Sequence, residues 1–334
     1  MENLPSHTNN KTHLLSNSEP QFSYLIDFAD DYINRMEKGL ILTDKKVKFS
    51  EQTIRVYRSA VQHYRDFENK LERRTSISEV NKTFLQAFDR YLISTGLSLN
   101  SVSLYLAKLK AVCNILIEGQ VISGSFKSIK TGTEQSTQVY LSENEIRKMK
   151  QAELNNSETK MLDIWLIAAF TGLRFSALKK FLSNPSAYLK EYDGVSYIDI
   201  ISDKTREQSV IPLHIEVQRV LSKYSGTIEC PTDQHARRLI KSIARKAGID
   251  QPIPKRITKG GKVVEEIVPK WKLVSLHSGR RSFITNIRRH ISNNEAVMSM
   301  TGHKSELQLK NYDRSEKLDK IKDVLNNEFF NNLL

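Results

Sequence analysis

Between residues 22 and 118 the apolar side chains recur every three or four positions, a period that suits a helix with one buried face and that a strand cannot use. Phe22, Leu25, Ile26, Tyr32 and Ile33 open the pattern, and Tyr57, Ala60, Val61 and Tyr64 continue it. Phe84, Leu85, Phe88 and Leu92 form a third group, and Leu109, Val112, Cys113 and Leu116 a fourth. The spacing predicts a small domain of about four helices over 21–120. The fourth is expected to start near Asn100 and Ser101, after a stop at Gly96.

Periodicity then fades into a Ser-, Thr- and Gly-rich stretch that reads as a linker over 121–139. Residues 1–20 are polar, without an apolar run, and read as a disordered tail rather than a signal peptide or membrane span. Residues 140–334 form the second unit. A helix restarts at Leu141–Glu153, with Ser142 and Glu145 spaced as a capping box. Another carries Leu162, Trp165, Leu166, Ala169 and Phe170 and stops at Gly172, which delivers Arg174 at a turn. VSYIDIISDKTREQSVIPL reads as two strands around a polar turn presenting Lys204, and Lys190 or Arg206 takes that place if the turn lies in another register. Helices follow near 214–224 and 232–247, then a second hairpin within 253–274, then helix to the end. Leu318, Ile321, Leu325 and Phe329 give the last segment an apolar stripe, suited to packing on its own domain or on a neighbouring protomer.

The chain has 334 residues, with 51 Lys and Arg against 38 Asp and Glu and a formal charge of +13, which fits a polyanionic partner such as nucleic acid. No basic amphipathic anchor or lipidation signal points to a membrane. Cys113 and Cys230 are too few for a disulfide framework and lack zinc spacing, so a reduced, cytoplasmic setting is expected. Asp27, Asp30 and Asp31 lie close together on the first helix and read as surface charge rather than as a metal cluster.

The fragments that carry chemistry are TGLR at 171–174, HSGR at 277–280, TGH at 301–303 and NYDR at 311–314. Cleaving a phosphodiester builds negative charge on nonbridging oxygens, and Arg offers a planar fork matched to phosphate, so Arg174 and Arg280 form a candidate clamp. Tyr312 is the candidate nucleophile, needing a base and nearby positive charge because a phenol ionises only near pH 10. His277 and His303 are the candidate helpers, and Lys204 is the candidate acid for the leaving oxygen.

In this order the fragments resemble the catalytic domain of the tyrosine recombinases, the lambda-integrase-like site-specific recombinases. In that family an Arg follows a TG turn, a Lys lies on a hairpin, HxxR opens a helix, and GH precedes the nucleophilic Tyr. The resemblance implies a mainly α protein with a small β-sheet: an N-terminal helical, SAM-like core-binding domain and an α+β tyrosine-recombinase catalytic domain. It also implies cleavage and rejoining of double-stranded DNA through a 3′-phosphotyrosyl link without metal, ATP or other cofactor. A homo-tetramer would act on two DNA sites, with DNA-bending or directionality proteins as accessory partners. The short stretch before the first helix leaves no room for an arm-binding domain, so a short integrase, invertase or resolvase is expected. A type IB topoisomerase and a non-catalytic DNA-binding regulator are the competing functions. Ala177 departs from the family, which commonly has an acid three positions after the first Arg, and Thr301 replaces a common Leu. Arg55, Arg58, Lys108, Lys110, Arg281 and Lys304 are candidate contacts to DNA phosphates.

Overall fold

In a computed structural model, which describes residues 22–203, 206–224 and 226–313, the predicted helical period is realised in α1 (Leu25–Lys38), α2 (Glu51–Leu71), α3 (Lys82–Ser94) and α4 (Leu99–Glu118). Side-chain caps start three of them: Ser50 accepts from the Thr53 amide, Asn81 from Phe84 and Ser98 from Ser101. The fourth helix therefore begins earlier than expected. Ser98 rather than Asn100 is its cap, and Asn100 exchanges hydrogen bonds with the Glu134 backbone. Leu25, Phe28, Tyr64, Phe88, Leu92, Leu109 and Val112 form the centre of this first core. Each such side chain contributes about 1.5–3 kcal/mol by leaving water.

The chain divides into two compact units, 1–136 with 256–266 and 137–255 with 267–334. Phe126 and Ile129, in the stretch read as linker, are buried in the first core. The expected second hairpin is present as β4 (Pro252–Lys259) and β5 (Lys262–Pro269). Its distal residues belong to the first unit, where the Gly260 amide donates to the Leu97 carbonyl and the Thr258 amide to the Glu134 carboxylate.

In the second unit the capping box of Ser142 and Glu145 opens α5 (Glu143–Gln151). The next helix, α6 (Asn156–Thr171), is buried on nearly every side, beyond the one apolar side read from its sequence, with Glu158 and Asp163 buried as well. Following it are α7 (Phe175–Ser183), α8 (Ile215–Tyr224), α9 (Asp233–Lys246), α10 (Leu276–Ile287), α11 (Asn294–Thr301) and α12 (Glu306–Lys310). An antiparallel sheet has β2 (Val195–Ile201) at its centre, flanked by β1 (Leu189–Tyr192) and β3 (Gln208–Pro212). The sequence reading contained β2 and β3 but not β1, which is four residues long and mostly exposed and so leaves no apolar alternation to read.

α10 packs directly on α6 because Gly279 has no side chain. A Cβ there would stand 3.0 Å from the Ala168 Cβ and 3.4 Å from the Trp165 indole nitrogen. That indole donates to the Ser275 carbonyl at 3.1 Å, pinning the start of α10. Among the described residues no single helix is long and apolar enough to cross a membrane. The tail 1–20, Lys204 and the apolar stripe of 318–334 lie outside the described residues.

Buried Asp163 ties α6 to α8, accepting from Lys223 Nζ at 2.6 Å, Tyr224 Oη at 2.9 Å and Arg219 Nη2 at 3.3 Å. Lys223 and Arg219 keep 42% and 44% of their side-chain exposure, so water can take over their solvation if the carboxylate is removed. Asp163→Ala is therefore expected to cost about 1–3 kcal/mol, the value of charge-assisted hydrogen bonds, rather than the larger penalty of a stranded buried charge. Urea denaturation of the variant checks this.

Candidate functional site

Two helices end in the same way, and both endings face one arginine. Thr171 closes α6 by donating its hydroxyl to the Ile167 carbonyl at 2.6 Å, and Gly172 follows in the left-handed region at φ +67°. Thr301 closes α11 by donating to the Val297 carbonyl at 2.6 Å, and Gly302 follows at φ +60°. Glycine reaches this backbone without the penalty of a side chain. Space requires it as well, since a Cβ on Gly172 would lie 2.5 Å from the Phe283 ring and one on Gly302 2.9 Å from Ser209 Oγ.

Arg280, one turn after His277 on α10, is 2% exposed and reaches both endings. Its Nη1 donates to the Gly172 carbonyl at 2.6 Å, and Nη2 donates to the Thr301 carbonyl and to His303 Nε2, both at 2.8 Å. These acceptors are neutral, and among the described residues no carboxylate bonds to the buried charge. Burial first, and the Arg174 charge second, push the Arg280 pKa down while the nearby Tyr312 opposes the shift. A guanidinium starts so far above neutrality that it stays charged all the same. Among the described residues its buried Nε–H has no hydrogen-bond partner.

Tyr312 follows α12, whose Leu309 is buried and whose carbonyl accepts the Tyr312 amide at 2.9 Å. The Tyr312 hydroxyl lies 3.2 Å from His277 Nε2, and its ring lies 5.1 Å from the Arg280 guanidinium. The His303 ring packs against it at 4.9 Å. Arg174 occupies the N-cap position of α7 without a side-chain cap bond, close enough for its charge to act on Arg280 and His303.

Five of the six predicted site residues, Arg174, His277, Arg280, His303 and Tyr312, thus come together. The sixth, Lys204, is outside the described residues, but its neighbours are held. Asp203 accepts from Lys180 at 2.7 Å and Glu207 pairs with Lys304 at 2.7 Å. Of the alternatives for that role, Arg206 is in the turn at φ +55° and Lys190 lies on β1 opposite Tyr197.

The two histidines, read as equivalent helpers, have different surroundings. His303 is 5% exposed, and its Nε2 is occupied by Arg280 while Nδ1 meets Thr301 Oγ1 at 2.8 Å. Burial, then the charges of Arg280, Arg174 and His277, lower its pKa from 6.5 to about 3, so it is neutral at neutral pH. Only His277 has a ring nitrogen beside the phenol oxygen.

Ala177 is 4% exposed within the apolar core. Arg280 and His303 are held by the Gly172 and Thr301 carbonyls and the Thr301 hydroxyl. Sequence reasoning missed these groups as site components, although the repeated Thr-Gly before Leu173-Arg174 and before His303 was a visible signal.

Several candidate DNA contacts have protein partners. Arg58 pairs with Glu37 at 2.6 Å, Lys110 donates to the Ile129 carbonyl at 2.9 Å, and Lys304 pairs with Glu207. Lys108 lies over the Tyr57 ring at 4.7 Å, Arg55 is exposed on α2, and Arg281 is half-buried next to Arg280. The three aspartates of α1 pair separately, Asp27 with Arg74, Asp30 with Arg65 and Asp31 with Arg35. Among the described residues no group of three or more His, Cys, Asp or Glu is placed to hold a metal ion.

Residues 24–128 match the family model of the phage integrase SAM-like domain. The whole fold is similar to a lambda integrase (75–356) dimer bound to a COC′ core site, with a TM-score of 0.65 and 17% identity over 87% of this chain and 96% of that one. It is also similar to XerH site-specific recombinase in a post-cleavage complex with palindromic difH substrate, with a TM-score of 0.61 and 14% identity over 95% and 92%. The Tn1549 transposon integrase (82–397), in complex with circular intermediate DNA, gives 0.58 and 15% over 92% and 100%. No curated protein matches the sequence. The chain has the fold of these integrases and recombinases, with a match to the phage integrase SAM-like domain at its N-terminal side, which is the fold that the resemblance implied.

Because the His303 pKa is lowered on folding, the unfolded chain binds the extra proton between about pH 6.5 and 3, and stability falls as pH falls through that window. Acid titration of stability should therefore be shallower there in His303→Asn than in wild type, as read by urea midpoints at each pH.

Proposed function

We propose that the chain is a site-specific DNA recombinase in which Tyr312 attacks a scissile phosphate. The observation that carries this reading is the Tyr312 hydroxyl 3.2 Å from His277 Nε2, beside the charge of Arg280. His277 Nε2 accepts the phenolic proton as the Tyr312 oxygen bonds to phosphorus, which requires the ring to carry its own proton on Nδ1. Arg280 and Arg174 neutralise the charge that builds on the nonbridging oxygens, and a phosphate supplies the negative charge missing around the buried Arg280. The phosphorus–5′-oxygen bond breaks, leaving a 3′-phosphotyrosyl link. Lys204 is assigned, from its place in the sequence, to protonate the departing 5′ oxygen.

The energy of the broken bond is kept in the phosphotyrosyl link, so a second 5′ hydroxyl reverses the step onto a new strand without ATP. Exchange between two duplexes needs active sites on each strand, which a homo-tetramer on two DNA sites provides. The lambda integrase described as a tetramer bound to a Holliday junction has the same fold, with a TM-score of 0.66. The partner is double-stranded DNA, and integration, excision or inversion is the outcome.

A nicked suicide substrate spanning the crossover site, resolved on a denaturing gel, tests the chemistry. Wild type should give a slow-migrating covalent adduct and Tyr312→Phe none, with site binding equal in the two. Tight binding without an adduct in wild type would identify a DNA-binding regulator. Relaxation of plasmids that lack the site would identify a topoisomerase.

A further inference from the structure

Thr301 bonds to three buried groups, the Val297 carbonyl, the His303 imidazole and the Arg280 guanidinium. Its hydroxyl donates to the Val297 carbonyl at 2.6 Å, and a hydroxyl has one proton. Toward His303 Nδ1, 2.8 Å away, the same oxygen can then act only as acceptor, so Nδ1 must carry the imidazole proton. On the far side of the ring, Nε2 is left with its lone pair directed at Arg280 Nη2–H, 2.8 Å away. The Thr301 carbonyl accepts the other Nη2–H at 2.8 Å. One residue therefore engages Arg280 twice, directly through its carbonyl and indirectly by fixing which nitrogen of His303 is free to accept.

We propose that Thr301 is a positioning residue: its hydroxyl holds His303 in the Nδ1–H tautomer, so that the imidazole accepts from Arg280 and fixes the guanidinium that faces the reacting phosphate. This rests on the recombinase reading above and deepens it by separating the histidines. His277 serves the nucleophile, and His303 serves the arginine. The opposite tautomer would set His303 Nε2–H against Arg280 Nη2–H, two donors at hydrogen-bond distance inside the protein, and one of the two groups would have to turn away. A neutral His303 is needed, and the low pKa that burial and its cationic neighbours impose keeps it so.

Thr171 shows that the hydroxyl's second partner is a matter of sequence and not of the helix ending itself. It makes the same bond to the carbonyl four residues back, but its oxygen accepts from the Leu173 amide at 3.3 Å. At the second ending a histidine two residues after the threonine occupies that place.

The test compares full-length wild type, Thr301→Ser and Thr301→Val. Long-range proton–nitrogen NMR correlations read the tautomer of His303, assigned by its loss in His303→Asn. Wild type and Thr301→Ser should show the Nδ1–H form, and Thr301→Val should shift toward Nε2–H. Single-turnover adduct formation should fall by at least about tenfold in Thr301→Val and recover in Thr301→Ser, with DNA binding unchanged. If Thr301→Val does not fold, Thr301→Ala replaces it as the hydroxyl-free variant. Retention of the Nδ1–H form without the hydroxyl would overturn the proposal, and so would a loss of activity in Thr301→Ser as large as in Thr301→Val. Absence of any adduct from wild type would count against the recombinase reading alone, because the tautomer comparison needs no substrate.

Discussion

The buried guanidinium of Arg280 is the constraint around which the second unit is arranged. Placing a full positive charge at 2% exposure is costly unless every donor finds a partner. Proteins commonly meet that cost with a carboxylate. Here the partners are two backbone carbonyls and one neutral imidazole, which engage both terminal nitrogens but, among the described residues, leave the buried Nε–H unbonded and the charge standing. Both carbonyls come from helix endings in which glycine turns the chain, so their placement depends on Gly172 and on the Thr301-Gly302 pair. Gly279, which lets α10 approach α6, sets the distance from which Arg280 reaches them.

An uncompensated buried cation accounts for the other properties of the site. Second to burial, it helps to hold His303 neutral and so able to accept, and it stands under the Tyr312 ring, where the face of an aromatic attracts a cation. A phosphate entering such a site meets donors already oriented, so little reorganisation is needed when negative charge develops. A carboxylate near Arg280 would neutralise the same field.

The sequence made much of this legible, for identifiable reasons. Helical period showed the four helices of the first unit because each buries one face against the others, and the capping box at Ser142 marked its helix directly. The order TGLR, HSGR, TGH and NYDR located five side chains that come together although as many as 138 positions separate Arg174 from Tyr312. Roles were harder to read than places. Which histidine faces the tyrosine depends on how α11 and α12 deliver residues 303 and 312, and no residue spacing encodes that. Backbone carbonyls carry no letter of their own, so the acceptors of Arg280 were invisible until Gly172 and Thr301 were seen as chain endings. β1 escaped because a short exposed strand has no alternation, and the start of α4 was misjudged because Ser98, Asn100 and Ser101 are all competent caps.

The central claim is that a single planar group must satisfy Gly172, Thr301 and His303 at once. Arg280→Lys keeps a positive charge but removes the fork, since an ammonium on a flexible stem cannot span acceptors arranged for two guanidinium nitrogens. The most direct measurement is single-turnover formation of the covalent adduct on a nicked substrate by Arg280→Lys, with site affinity measured in parallel. Adduct formation should fall by at least about a hundredfold with site binding retained. A lysine variant that cleaves within a few fold of wild type would show that charge alone suffices and would contradict it.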